Sequence, residues 1–254
     1  MEELLRDLVT LGIAGLLCLL RLGAATFSAA EYDEPAADGR QTTFRLRIGW
    51  YLLGFALIWA ALAVHPAPIR DLQLGLGDRF GAVLGGLALG AVGTAQAVLF
   101  ARLRYARLRM PPLWSYPGAV LNALGTAFID EVTFRGAVLG FLVLIGLNGW
   151  IAIVIQALIY GLATRLGAPG RDRSIFLLAL LLAVATGWAT IETGGIGAAF
   201  LGHTIARFAM FLTTGHAGQP LPEGREVEEI EKRRRPPDGW SIVGAVRDSI
   251  SRDR

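Results

Sequence analysis

This chain has one cysteine and three histidines in 254 residues. The single cysteine, Cys18, stands inside an apolar run, which excludes a disulfide framework and a thiolate metal site. Charge is scarce too: 18% of the residues are charged, against about 25% in ordinary soluble domains. The net charge of +3 is small and scattered, which argues against a nucleic-acid partner. The glycine-rich stretch 81–93 lacks the lysine and the strand that a phosphate-binding loop needs, so it reads as helix packing. The inverted halves expected of many transporters are missing as well.

What is present is oil. Apolar residues make up 54% of the chain, and the mean hydropathy is +0.50. Charges cluster between long uncharged runs, the pattern of a polytopic membrane protein whose first partner is the lipid bilayer. The apolar runs cover 8–20, 48–64, 80–101, 117–146, 150–163, 174–191 and 196–212. They predict an all-α transmembrane bundle of about six to eight helices. The first run is short and reads as a retained span or interfacial helix, with Arg6 and Arg21 reaching outward at its ends. Trp50, Tyr51, Trp114 and Tyr116 suit a membrane interface. GGLALG in the third run has the small-residue spacing of close helix pairs. The fourth run is too long for one perpendicular span, so it must tilt, break near Gly136 or Gly140, or lie partly outside the hydrocarbon.

Three segments follow. Residues 1–47 hold a hydrophobic helix and a polar loop, 48–213 the bundle, and 214–254 a polar tail. Arginines 45 and 47, the cluster 102–109, the group 165–173 and Lys232–Arg235 fall on one side if runs two to seven each cross. That bias predicts a cell-membrane protein with its tail in the cytoplasm. His65 and His216 read as exposed and idle.

Ionisable residues inside the runs carry the functional signal, because each costs roughly 2.5–3.5 kcal/mol at mid-helix. Glu131 and Arg135 are four apart on one helical face and can pair. Asp130 points elsewhere and needs a partner, a proton or a metal; Arg207 is a candidate. His203 and Arg207 share a face of the last run. Gln156, Tyr160 and Thr164 form one polar stripe on the fifth, with Thr164 near enough to the end to serve as a cap. Convergence of these three faces is the expectation.

The same residues resemble the CPBP intramembrane metalloproteases, the group that includes type II CAAX prenyl proteases and bacterial Abi proteins. The family pattern EExxxR, FxxxH, HxxxN is matched by Asp130-Glu131-Val132-Thr133-Phe134-Arg135, by Tyr160-Gly161-Leu162-Ala163-Thr164 and by His203-Thr204-Ile205-Ala206-Arg207, over roughly 110–213. The resemblance implies an intramembrane endopeptidase acting on a membrane protein or peptide substrate. Asp130, Glu131, Arg135 and His203 would be its catalytic set, with a divalent metal such as zinc held by His203. The departures are Asp130 for glutamate, Thr164 for histidine and Arg207 for asparagine. A hydroxyl is a poor zinc ligand, and a guanidinium cannot ligate. The alternative is a non-catalytic membrane scaffold or binding protein of the same fold, with no cofactor.

Overall fold

The computed structural model describes residues 2–27, 29, 44–111, 113–166 and 173–215. The rest of the polar loop before residue 44, most of the basic loop 165–173, and the tail with His216 and Lys232–Arg235 lie outside the described residues. Among the described residues every regular element is helical, as the runs predict. Besides two short 3-10 turns, Gly23–Ala25 and Leu113–Ser115, they are in chain order α1 (Glu2–Leu22), α2 (Phe44–Val64), the single turn α3 (Pro68–Asp71), α4 (Arg79–Tyr105), α5 (Tyr116–Glu131), a π-helical stretch (Val132–Val138), α6 (Leu139–Leu144), α7 (Gly149–Leu166), α8 (Arg173–Thr193) and α9 (Gly197–Thr214).

Five helical segments are long and apolar enough to cross a membrane: Leu4–Ala25, Arg45–Val64, Arg79–Tyr105, Gly149–Leu166 and Phe176–Thr193. Six crossings were expected from runs two to seven. The difference lies in two elements. Run four is divided into α5, the π stretch and α6, and α9 carries His203 and Arg207 among its apolar residues. The first run makes up one crossing, and it is an integral part of the bundle. Leu17 and Ala14 of α1 are buried in the main core with Ile129, Val132, Phe134 and Tyr160.

Helices α4 and α9 form the most extensive pair, and the small-residue reading of α4 holds. A Cβ on Gly86 would stand 2.7 Å from Leu201, and one on Gly90 would stand 2.7 Å from Ile205. Gly202 of α9 faces Leu89 in return. Glycine at these positions lets the backbones approach closely enough for van der Waals packing to hold the pair without a hydrophobic driving force. The matched positions rise together along both helices, so the pair is parallel.

At one end of the bundle the connector 65–78 folds inward and closes that face. Leu72 is buried. Gly136 of the π stretch packs on Leu74, and Gly140 of α6 packs on the Asp71 carbonyl, where a Cβ would approach to 2.7 Å. Ile196 N–H is shared between Gln73 O at 3.2 Å and Gly75 O at 3.0 Å, and Asp78 N–H donates to Thr193 O at 2.8 Å. Gly77, in the left-handed region at φ 75°, lies against Thr193 O, and Gly195 lies against the Gly75 carbonyl. Any side chain at these glycines would collide with backbone.

Two expectations change at the ends of α2. Trp50 and Tyr51 turn their polar tips into the bundle. Trp50 is fully buried and its indole donates to Leu20 O at 3.0 Å, while the Tyr51 hydroxyl serves α5. Aromatics with a polar tip satisfy either setting, so their place beside basic residues misleads. His65 is not exposed either, at 3% of its surface. Its Nδ1 accepts from Ala67 N–H at 3.2 Å, it sits among Asp71, Arg6, Arg70 and Asp7, and burial holds its pKa below the usual 6.5.

Candidate functional site

The motif Asp130–Gly136 spans the junction between α5 and the π stretch. In a π turn the hydrogen bond closes over five residues, as Leu139 N–H to Phe134 O does here. Thr133 Oγ1 donates to Ile129 O at 2.6 Å, occupying a carbonyl where the α pattern gives way. Such wide turns inside helices recur at functional sites. This junction resolves the length of run four: the helix neither breaks nor leaves the bundle, and it changes pitch.

All seven motif positions turn inward or line one interior, as the stripes predict. Glu131 and Arg135 are both fully buried and paired, Nε to Oε2 at 3.1 Å. The other carboxylate oxygen, Oε1, is 2.6 Å from His203 Nδ1 of α9. Glu131 paired with a guanidinium accepts only, so His203 carries its proton on Nδ1 and presents Nε2 as its second ring nitrogen. Arg135 also stacks on the Tyr160 ring, 4.6 Å from its centroid, where cation–π attraction adds to the ion pair. Tyr160 meets Phe134 edge-on at 4.9 Å and His203 at 6.4 Å. Runs five and seven thus converge through side chains, as expected.

One pairing is corrected. Asp130 does not face Arg207 as an ion pair. Its partner is Arg21 of α1, Nε to Oδ1 at 3.1 Å, with both side chains buried. Arg21 therefore points into the bundle, because α1 packs against the π stretch and a buried carboxylate draws the guanidinium inward. Arg207 instead donates from a terminal nitrogen to Asn122 Oδ1 of α5 at 3.3 Å. Asn122 Nδ2 donates to the Tyr51 hydroxyl at 2.8 Å, and that hydroxyl lies 3.2 Å from Thr126 Oγ1. Thr164 is buried at 1% exposure with no partner for its hydroxyl, so it is no cap. Gln156 is fully buried with its amide unpartnered.

Arg21, Asn122, Thr126 and Tyr51 are the site residues that sequence reasoning missed. A signal for two of them existed: Asn122, Thr126 and Asp130 recur every four residues and line one face of α5.

The residues do not fit a catalytic metal. Structural and catalytic zinc take three or four nitrogen, sulfur or carboxylate donors. Among the described residues no three His, Cys, Asp or Glu side chains gather to hold an ion. Both Glu131 oxygens are engaged, Asp130 faces a guanidinium, and the positions of the family's other two donors hold a hydroxyl and a cation.

Residues 112–209, which contain all seven motif positions, match the family model described as Type II CAAX prenyl endopeptidase Rce1-like. No curated protein and no solved structure matches the chain. With those motif positions brought together among helices long and apolar enough to cross a bilayer, residues 112–209 are similar to the CAAX protease-like family, and the chain is a multi-pass membrane protein.

Proposed function

We propose that this protein is a non-catalytic binding or scaffold member of the family, holding a membrane-embedded segment of another protein. It would reside in the cell membrane with its arginine-rich face and tail in the cytoplasm. One observation carries the reading: the ionisable groups at the motif are closed on one another. Glu131 is held by Arg135 and His203, and Asp130 by Arg21. A carboxylate that must activate water needs a free oxygen at its reacting edge. Glu131 Oε2 and Asp130 Oδ1 face guanidinium groups that cannot give up a proton, and Glu131 Oε1 is taken by the His203 ring. The same contacts join α1, the α5–π junction and α9, which is what a scaffold requires of buried ion pairs: fixed register between helices.

Metal analysis and proteolysis test this. The detergent-purified parent should carry no stoichiometric metal and leave membrane peptides uncut. The double variant Thr164→His/Arg207→Asn should gain metal affinity, and each single variant should gain less, since donor number and removal of the cation both matter. One zinc per parent chain, lost in His203→Ala, would overturn the proposal and leave an endopeptidase with an unusual ligand set.

A further inference from the structure

Buried polar groups in this bundle lie in two layers. The deeper one holds Arg21, Asp130, Glu131, Arg135, Tyr160 and His203. Its two guanidiniums face two carboxylates, so it is neutral when His203 is neutral. The shallower one lies toward the arginine-rich face. Tyr51 is seven residues into α2, Asn122 six into α5, and Arg207 seven from the end of α9. At 1.5 Å per residue, these three lie about 9–11 Å from their helix ends. Thr164 on α7 and Arg207 on α9 each lie one turn outward from Tyr160 and His203, whose rings meet at 6.4 Å.

The shallower layer has a charge with no carboxylate in contact with it. Among the described residues, no carboxylate pairs with Arg207. Its hydrogen bond goes to a neutral amide at 3.3 Å, and its Nε is buried without a partner. The Thr164 hydroxyl is likewise buried and unpartnered. Across the two layers, three guanidiniums meet two carboxylates. A half-buried guanidinium without a counter-charge is costly, and its planar fork of donors matches the oxygens of a carboxylate or phosphate.

We infer that Arg207, Thr164, Asn122 and Tyr51 form a binding site for one singly charged oxyanion, a carboxylate or a phosphodiester. Arg207 supplies the charge and the fork, and the Thr164 hydroxyl supplies a further donor. Asn122, itself anchored on the Tyr51 hydroxyl, holds the guanidinium in place through a neutral contact that leaves its charge for the ligand. The ligand arrives free or as the head of a lipid, since the site lies near one membrane face. The site stands on charge count and geometry, apart from the question of catalysis, and a chelator in every sample keeps the two separate.

The test is thermal unfolding of the full-length protein in a neutral detergent with chelator. Inorganic phosphate and acetate are the free probes. Phosphatidylglycerol and oleate are the lipid probes, with phosphatidylcholine as the zwitterionic control. At a hundredfold excess over its Kd, an effective anion should raise the midpoint by about 5–10 °C. A response to phosphate or acetate assigns a free ion; a response to the lipid probes alone assigns a lipid head. Arg207→Gln should abolish the rise, and Thr164→Val should weaken the apparent affinity about tenfold. If Arg207→Gln fails to fold, Arg207→Lys serves, keeping the charge but losing the fork, and should retain a reduced rise. No rise with any anion, an equal rise in Arg207→Gln, an unreduced rise in Arg207→Lys, an affinity unchanged in Thr164→Val, or an equal rise with phosphatidylcholine would overturn the inference.

Discussion

Replacing Arg21 with methionine removes the cation from Asp130 and leaves the hydrophobic stem of the side chain nearly intact. Asp130 is fully buried, and neither of its oxygens has a donor in hydrogen-bonding geometry, so Arg21 at 3.1 Å is its compensating contact. Breaking a buried pair from one side costs about 3–5 kcal/mol, because the remaining charge keeps its desolvation penalty. For a chain of this size, 1 kcal/mol moves the melting midpoint by about 2–4 °C, so Arg21→Met should melt about 6–20 °C below the parent in detergent. Asp130→Asn should also destabilise, by stranding the arginine. The double variant Arg21→Met/Asp130→Asn should recover most of the loss, because both charges are then gone. A single variant that melts with the parent would refute the pairing. So would a double variant whose loss equals the sum of the two singles.

Three further outcomes follow from neighbouring contacts. Arg135→Ala should cost about 3–5 kcal/mol, read as a lowered midpoint, since it strands Glu131. Arg135→Lys should restore only part of this, because an ammonium cannot reproduce the planar stacking on Tyr160 at 4.6 Å. Burial lowers the folded pKa of His65 below 6.5, so the unfolded chain takes up this proton more readily. Its contribution to stability is full above the unfolded pKa and is lost as pH falls through the lowered folded value. Midpoints measured from pH 7.5 to 4.5 should therefore fall for the parent and fall less steeply for His65→Gln.

Much of this fold could be read from residue spacing. The apolar runs located the helices, four-residue intervals found the Glu131–Arg135 pair and the Gln156–Tyr160–Thr164 stripe, and small residues marked the α4–α9 seam. All of these are properties of one helix read along its own axis. The Arg21–Asp130 pair escaped because it joins residues 109 apart on different helices, and an arginine at a helix end is as consistent with snorkelling as with burial. The same ambiguity hid Trp50 and Tyr51. The π stretch was invisible for another reason: its residues suit either pitch, and nothing in their spacing distinguishes the two.

That connector also bears on the stiffness of the molecule. Where Gly75, Gly77, Gly195 and Gly140 meet neighbouring backbone, closure is made by main chain against main chain. A rotamer change cannot part those backbone contacts, and separating the surfaces would break the Ile196 and Asp78 hydrogen bonds together. That end of the bundle behaves as a fixed floor. The missing side chains thus make this end the stiff one, held by backbone contacts and hydrogen bonds that must part together.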